Sequence, residues 1–579
     1  MNISPIFLGS VVSLLWPVVA LTQNLIVAGL AGNPGGRLVY AERSEPKTFN
    51  PLNAGDNASK DVLHRLMADL VHINRATFKT EPALARSWTS SKDGLHYVVE
   101  LREGLRFSDG HPCDADDVVF SFQVYLDEKA HALQRDLLLL DGRPIVVRKL
   151  DSRRVAFELP GPYAVTDRLF DTFFILPRHL LEKPYREGRI SEAWGIRTPA
   201  SEIAGLGPFR LKEYVPGQRV VLERNPYYWK FDAAGHRLPY LNELQFVFAG
   251  TEDMQVMRFQ SGESDVLYRV GPRNYNVLQK DAARRGLALQ NLGPGMEFAF
   301  LFFNLADLPR TAPPEMVAHQ AWFRRLPFRQ AVSAAIDRDA LVRLAYLGFA
   351  TPLAGLAPPG NKDWIDSTLP KLVRSLDRAR KLLRDDGFQW AADGALLDSA
   401  KKRVEFTIVT SSSNNERVQM AGLIQDDLKQ IGITVHVVPL EFRSLLDRLQ
   451  RTLEFEACVQ SLASADADPN ADLPLYLSSG SIHLWNPRQK SPATPWEAEI
   501  DELMRKQVST LQYGARKKMF DRVQQIMAQN LPAIPLVGPS ILVGAKKDLG
   551  GFRPALMEHY TLWNIEELYW SPPGPGSRR

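Results

Sequence analysis

Three acidic residues, Asp114, Asp116 and Asp117, stand close together within the stretch 105–122. Clustered carboxylates can bind a divalent cation or act as general acid and base. The same spacing can instead begin a helix, because Asp114 and Asp117 have the relation of a capping box just before the apolar run 118–122. Acidic groups in a first turn also stabilise the positive end of the helix dipole. We therefore predict that these aspartates start a helix and do no chemistry.

Other motifs for catalysis or metal binding are absent from the sequence. It contains no GxSxG, HExxH, P-loop or CxxC motif, and no two of its eleven histidines have the helix-face spacing of metal ligands. Cys113 and Cys458 are predicted to be buried free thiols, unless the fold brings them together as a disulfide. We predict no catalytic residue, no metal site and no cofactor. A secreted peptidase or amidase, with a triad assembled from distant residues, is kept as an alternative.

Length and charge limit the classes of protein that fit. At 579 residues the chain is too long for one hydrophobic core, and we expect at least two lobes. The formal net charge is only +4, and the basic residues are scattered along the chain. Because neither a basic helix nor a basic stripe is present, a nucleic-acid partner is not expected.

The N-terminal region is typical of an exported protein. Residues 6–21 are apolar and uncharged, which fits the core of a secretory signal better than a membrane span of about 20 apolar residues. We interpret residues 1–36 as signal sequence and linker, with cleavage after Ala31, and predict a periplasmic location. An uncleaved N-terminal anchor is the alternative. Residues 571–579 are rich in Pro and Gly and are predicted to be a disordered tail.

The secondary-structure pattern changes between the two halves of the chain. Residues 209–223 read as two strands around the turn Pro216-Gly217, which predicts a hairpin. In the second half, strand, helix and strand follow each other at 403–410, 415–432 and 433–440. This order requires a parallel pair of strands joined by a right-handed crossover. The predicted class is therefore α/β with mixed sheets.

Several long blocks of the sequence resemble one known family. The block "PALARSWTSSKDGLHYVVELREGLRFSDGHPCDADDVVFSF" resembles the signature region of the family 5 extracellular solute-binding proteins. These are the periplasmic oligopeptide-, dipeptide- and nickel-binding components of ABC importers. Four further blocks are similar to the family and come in the family order: "ERSEPKTFNPL", "GPFRLKEYVPGQRVVLERNPYYW", "FRQAVSAAIDRDALV" and "TPWEAEIDELM". Together the resemblance covers about residues 36–570.

The resemblance implies a two-lobed periplasmic binding protein fold, with a ligand cleft between the lobes and two hinge crossings. The expected division is lobe I at 37–302, lobe II at 303–531 and a return to lobe I at 532–570. The crossings are expected near 300–305 and 532–537. A monomeric receptor of this kind would capture a small solute and deliver it to the permease subunits of an ABC transporter.

The same resemblance indicates which residues contact the ligand. In peptide-binding members an acidic loop residue holds the amino group of the ligand, and Asp466 is the best match here. A loop-capping aspartate is the alternative role for Asp466, a helix N-cap is the alternative for Asp56, and a core position is the alternative for Trp485. The complete predicted set is Gly55, Asp56, Asn57, Asp466, Asp468, His483, Trp485 and Asn486.

The sequence does not identify the solute. A short peptide is the first interpretation, and a nickel chelate or another solute of the same family is the second. A chaperone-like protein that holds unfolded segments in a similar cleft is a further alternative.

Overall fold

The computed structural model describes residues 25–27 and 32–572, and its strands form three main sheets. Most of the predicted signal sequence and all but the first two residues of the predicted tail lie outside the described residues. Leu25–Val27 pair in parallel with Lys230–Asp232. Within the described part, no helix is long and apolar enough to cross a membrane.

The largest sheet has eight strands and forms the base of the first lobe. It contains strands from both ends of the chain. The predicted hairpin is confirmed, because Phe209–Val215 pairs antiparallel with Arg219–Arg224. Across the sheet the strands are Phe209–Val215, Arg219–Arg224, Glu243–Phe248, Arg37–Glu42, Val266–Leu267, Val537–Lys546 and Leu287–Pro294, and Ala350–Pro352 pairs with Val537–Lys546 outside this order.

A four-stranded antiparallel sheet completes the first lobe. Its strands, in order, are Ala85–Ser90, His96–Leu101, Arg154–Glu158 and Val146–Lys149. The helix predicted at the acidic cluster is confirmed as Ala115–Leu126. Asp114 is its N-cap and accepts a hydrogen bond from the backbone N of Asp116 at 2.8 Å, while the Asp117 carboxylate accepts from the backbone N of Asp114 at 3.0 Å. This reciprocal arrangement is a capping box, so the acidic cluster is structural.

The second lobe is built on a five-stranded mixed sheet. The predicted strand–helix–strand unit is confirmed: Glu405–Ser411 and Thr434–Leu440 are parallel, and helix Asn415–Lys429 connects them. In order, the strands are Thr434–Leu440, Glu405–Ser411, Ala457–Ala463, Glu297–Phe303 and Ala533–Pro535.

Helices cover both faces of this second sheet, and strand Glu297–Phe303 shows why. Its side chains alternate between two hydrophobic cores, with Leu301 and Phe303 in one and Phe300 and Phe302 in the other. A strand that is buried on both faces needs apolar residues at every position. The helices of this lobe are Pro314–Phe323, Leu326–Ala335, Leu376–Asp385, Asn415–Lys429, Phe442–Asp447, Leu473–Tyr476, Pro495–Ser509 and Tyr513–Asn530, and those of the first lobe are Asn57–Leu66, Ala115–Leu126, Thr166–Leu169, Arg178–Arg186, Glu252–Ser261 and Pro272–Asp281.

The chain crosses between the two large sheets at two main passages, and strand Ala350–Pro352, which lies between helices of the second lobe, also reaches back to pair with Val537–Lys546. The first passage lies between strand Leu287–Pro294 of the first lobe and strand Glu297–Phe303 of the second. The second lies at Leu536, between Ala533–Pro535 and Val537–Lys546. The first passage therefore precedes the expected stretch 300–305, because that run of phenylalanines is needed to fill the cores of the second lobe. We accordingly propose a limit of the first lobe near residue 295 instead of residue 302.

The two cysteines lie in different hydrophobic cores. Cys113 is buried in the core of the first lobe and Cys458 in a core of the second, and both are free thiols. Burial raises the pKa of each thiol. The free-thiol prediction is confirmed, and the disulfide alternative is excluded by their placement.

Candidate functional site

The facing sides of the two lobes carry polar residues just beyond the carboxyl ends of strands. Tyr268 and Arg269 follow strand Val266–Leu267 of the first lobe directly. Asp466 comes shortly after strand Ala457–Ala463 of the second lobe. In open α/β sheets, ligands bind in the crevice outside the carboxyl ends of the strands. These residues therefore mark the cleft between the lobes as the candidate site.

A charged pair lies where the first crossing enters the cleft. The Nη2 atom of Arg269 lies 2.5 Å from Oε2 of Glu297, the first residue of the crossing strand. Burial opposes ionisation of Glu297, but the charge of Arg269 and its hydrogen bond outweigh burial and lower the pKa of Glu297. The cleft thus presents a fixed cation and a fixed anion side by side.

Two tyrosines flank this pair. The guanidinium of Arg269 lies 6.0 Å from the ring centroid of Tyr560, at the outer limit of a cation–π contact. Tyr346 is buried, and burial together with the charge of Glu297 raises its pKa. Its hydroxyl therefore remains neutral and able to donate a hydrogen bond.

The second lobe contributes the start of helix Asn415–Lys429. Arg417 donates from Nη1 to the side-chain oxygen of Gln460, whereas its Nε is buried and has no hydrogen-bond partner among the described residues. Beside it, burial raises the pKa of Glu416. A Cβ atom built on Gly271 of the first lobe would lie 3.3 Å from Oε1 of Glu416, so the two lobes approach each other closely here. The start of the helix adds polar groups of both signs to the cleft.

Two direct contacts hold the lobes together on another side of the cleft. Arg168 of the first lobe donates from Nε to Oδ2 of Asp466 at 2.6 Å, and its Nη2 donates to Oδ1 of the same carboxylate. The backbone N of Ala164 donates to the carbonyl of Val508 at 2.7 Å. A bidentate pair of this kind fixes distance and orientation. The structure is therefore a closed arrangement of the two lobes.

Among the predicted site residues, Asp466 alone reaches across to the opposite lobe. Its side chain keeps about a fifth of its surface exposed, at 22%. It also accepts a hydrogen bond from the backbone N of Ala467. A ligand amino group would have to share or replace the guanidinium of Arg168. The ligand contact of Asp466 stays a prediction.

Asp468 has a structural partner instead. Both of its carboxylate oxygens accept from Arg516, at 2.6 and 2.8 Å, and the pair is buried inside the second lobe. Asp468 also caps the short turn that follows it by accepting from the backbone N of Asn470 at 3.0 Å. Asp468 is only 6% exposed and is held by these partners inside the second lobe, and we therefore leave it out of the proposed site.

The segment that contains His483, Trp485 and Asn486 lies within the second lobe. His483 and Trp485 are each only 1% exposed, and their rings lie 4.3 Å apart. Trp485 packs in a hydrophobic core of this lobe, so the structure favours the core alternative over stacking on a ligand. Asn486 donates to the side chain of Gln489 within the same loop. Burial is the physical reason that we do not retain His483 and Trp485 in the proposed site, whereas a ligand contact by the half-buried Asn486 stays a prediction.

The loop of Gly55, Asp56 and Asn57 begins a helix. Asp56 is the N-cap of Asn57–Leu66 and accepts from the backbone N of Ser59 at 2.9 Å, which is the alternative role considered for it. Gly55 and Asn57 are exposed. A ligand contact by this loop stays a prediction.

Metal ligands were not expected. Across the residues that the structure describes, no group of three or more His, Cys, Asp or Glu side chains is placed to hold a metal ion.

Comparison with known proteins decides the family. The family described as "Bacterial extracellular solute-binding proteins, family 5 Middle" matches residues 79–483. The chain belongs to this family. A probable ABC transporter-binding protein of Deinococcus radiodurans is 27% identical over 532 residues, which cover 88% of this chain and 87% of the relative. The probable ABC transporter periplasmic-binding protein SapA of Escherichia coli is 26% identical and covers 89% of both chains.

A solved structure of the family confirms the two-lobed fold. The oligopeptide-binding protein AppA of Bacillus subtilis, in complex with a nonapeptide, superposes with a TM-score of 0.70 at 24% identity. The match covers 94% of this chain and all of that structure. The family is described as extracellular solute-binding proteins, and the Escherichia coli relative is named a periplasmic binding protein of an ABC transporter.

Several cleft residues of this family member were missed by sequence reasoning. Arg269, Glu297, Tyr346 and Arg417 come from four different chain segments, and none lies in a recognisable motif. A signal existed for two of them. Arg269 closely follows a strand of the first sheet and Arg417 follows a strand of the second, and the rule for carboxyl ends of strands would have selected both positions.

Proposed function

We propose that this protein is the receptor of an ABC importer, which captures a short peptide between its lobes and delivers it to the permease subunits in the membrane. It acts in the periplasm as a monomer and does no chemistry on the peptide. Family membership supports the receptor role, and the peptide-bound relative supports the class of solute. The energy for import comes from the ATPase subunits of the transporter.

One observation carries the peptide assignment: the cleft presents fixed charges of both signs. Arg269 and Glu297 form a pair on one side, and Arg168 and Asp466 form a pair on the other. A peptide carries an ammonium and a carboxylate at its ends. Exchange of these partners lets the ligand termini pair with the cleft while the lobes stay closed. Hydrogen bonds from the unpartnered Nε of Arg417 add to this set.

The first experiment identifies the solute. The mature protein is purified without denaturation, and bound molecules are released by acid and identified by mass spectrometry. Titration calorimetry with a defined di- to pentapeptide mixture then measures binding. We expect saturable binding of one peptide per protein and recovery of the peptide intact. Recovery of a sugar or a chelate, with no heat from peptides, would overturn the peptide assignment, and cleavage of the peptide would overturn the receptor role.

The second experiment tests Asp466. Substitution D466N removes the negative charge but keeps the shape of the side chain, and we expect at least a tenfold loss of affinity for peptides with a free amino terminus, which corresponds to about 1.4 kcal/mol. The matched control is D447N, because Asp447 forms an exposed ion pair with Arg451 on a surface helix. D466N also removes the contact with Arg168 that favours closure, so N-acetylated peptides should lose some affinity but clearly less than peptides with a free amino terminus. Equal loss for acetylated and free peptides would show that Asp466 does not contact the amino group.

A further inference from the structure

The first lobe contains a cavity of about 70 Å³ that is separate from the cleft between the lobes. Its lining comes from three segments, 64–83, 208–230 and 559–566. All three belong to the first lobe. The cavity is therefore complete without the second lobe, and its occupant need not depend on closure.

Arg65 is the outstanding group in this lining. It lies in the last turn of helix Asn57–Leu66, is only 3% exposed, and its Nε and Nη2 have no hydrogen-bond partner among the described residues. The nearest carboxylate is that of Asp61, whose Oδ1 lies 4.0 Å from Nη2, beyond hydrogen-bond distance. Nε and Nη2 form the side-on edge of a guanidinium, the edge that binds a carboxylate with two parallel hydrogen bonds.

The other two arginine or lysine side chains of the lining each have a carboxylate partner. Arg75 lies 3.1 Å from a carboxylate oxygen of Asp171, and Lys230 lies 2.6 Å from one of Glu566. Arg65 therefore differs from its neighbours in facing the cavity without a hydrogen-bonded anion. A buried cation without such a partner costs several kcal/mol, and an anion in the cavity removes this cost.

A second buried group faces the same space. Asp69 is part of the cavity lining, and its Oδ1 has no hydrogen-bond partner among the described residues. Burial and the charge of nearby Asp171 raise the pKa of Asp69 well above the usual value, which favours the protonated form that can donate a hydrogen bond. The guanidinium of Arg65 and the protonated form of Asp69 would both donate to a ligand that has two oxygens and a negative charge.

We propose that this cavity binds a small carboxylate anion of the size of acetate, held side-on by Nε and Nη2 of Arg65. Since a cavity needs about 10–15 Å³ of such volume to hold one water molecule, the volume suits a small anion and excludes a folded or extended peptide. The carboxylate is either a free anion or the end of a longer solute chain that reaches in from the surface. In both cases the recognised chemistry is the same.

The test is titration of the full mature protein with sodium acetate, with sodium chloride at equal ionic strength as the reference. We expect saturable binding of one acetate and a rise of the melting temperature that chloride does not produce. Crystals soaked in bromoacetate should show anomalous bromine density within the cavity. A linear isotherm, an equal response to chloride, or bromine found only elsewhere would each refute the site.

Substitution R65K keeps the charge but removes the side-on edge, and we expect at least a tenfold weaker binding of acetate. R186K is the matched control, because Arg186 is a surface arginine of helix Arg178–Arg186 with 72% of its side chain exposed. Undiminished acetate binding by a folded R65K protein contradicts the proposal. Should R65K fail to fold, the titration and the bromine position in the native protein still decide the question.

Competition separates the two sources of the carboxylate. Ala-Ala-Ala and its C-terminal amide are each added to the acetate complex. Displacement of acetate by the free acid but not by the amide assigns the site to the end of a solute chain. If neither displaces acetate, the site belongs to a free anion and works independently of the cleft.

Discussion

At the scale of single residues, the first lobe contains a buried acidic pair, Glu42 and Asp61. Nδ1 of His559 donates a hydrogen bond to Oδ1 of Asp61 at 2.7 Å. Burial opposes ionisation of Asp61, but His559 outweighs it and lowers the pKa of Asp61. The pKa of Glu42 shifts in the opposite direction, because burial and the charge of Asp61 raise it from 4.5 to about 8. One negative charge is thus favoured at this place, and Glu42 carries the proton.

This pair predicts a pH dependence of stability. Because the folded pKa of Glu42 lies above its unfolded value, its contribution is fully present below about pH 4.5 and is lost as the pH rises through about 8. We expect substitution E42Q to make the fall of the melting temperature between pH 5 and pH 8.5 less steep. Thermal unfolding of both proteins at several pH values in this window measures the effect.

The control for E42Q is E103Q, since Glu103 is exposed and pairs only with Arg153 on the surface. E103Q should follow the native profile. Parallel profiles of native protein and E42Q would mean that Glu42 is ionised in the folded state, contrary to the expectation.

At the scale of secondary-structure elements, the capping box at Asp114 fixes the start of helix Ala115–Leu126. Phe122 of this helix packs edge-on against Phe157 of the four-stranded sheet, with the ring centroids 5.0 Å apart. We expect D114A to lower the free energy of unfolding by about 1 kcal/mol, because backbone N–H groups of the first turn lose their acceptor. Chemical denaturation of the first-lobe transition measures this loss.

Asp116 of the same turn provides the comparison for the cap. It forms a half-exposed ion pair with Lys149 at 2.7 Å and does not cap the helix. D116A should cost only a few tenths of a kcal/mol. Equal losses for D114A and D116A would show that charge near the helix dipole, and not the capping hydrogen bonds, determines the stability of this turn.

At the scale of the whole molecule, the relative position of the two lobes depends on the two chain crossings and on the bidentate ion pair between Arg168 and Asp466. Arg168 and Asp466 form a charged contact between lobes that are covalently linked through the passages near residue 295 and at Leu536. The backbone hydrogen bond from Ala164 to Val508 and the Arg269–Glu297 pair also join the two lobes. We expect R168Q to shift the population toward an open form, because closure loses a charge-assisted contact while the open form loses little. Small-angle X-ray scattering should then give a larger radius of gyration without ligand.

The ligand gives the internal check on this prediction. Saturation with a peptide that binds should restore the compact form of R168Q, since Asp466 is then free to pair with the ligand. R186Q, a surface change on the first lobe, should scatter like the native protein. An unchanged radius of gyration for R168Q in both states would show that the ion pair does not control closure.

The sequence predicted much of the fold and less of the site. The hairpin at 209–224, the capping box at Asp114 and the parallel unit at 405–440 depend on contacts between residues that are near in sequence, and all three are confirmed. The candidate site was harder. The pairing of Asp468 with Arg516 and the burial of Trp485 depend on how helices pack in the second lobe, and the residue types alone permit either a ligand contact or a core position.

By itself, the sequence determined the local elements, the α/β class and the family, because periodicity, caps and turns are short-range properties that the residues carry with them. Only the tertiary structure decided which charges meet. Arg168 and Asp466 are 298 positions apart, and Glu297 faces Arg269 only because the chain crosses between the sheets there. Long-range pairs form when the burial of apolar surfaces brings distant segments together. The spacing of charged residues along the chain does not predict that packing.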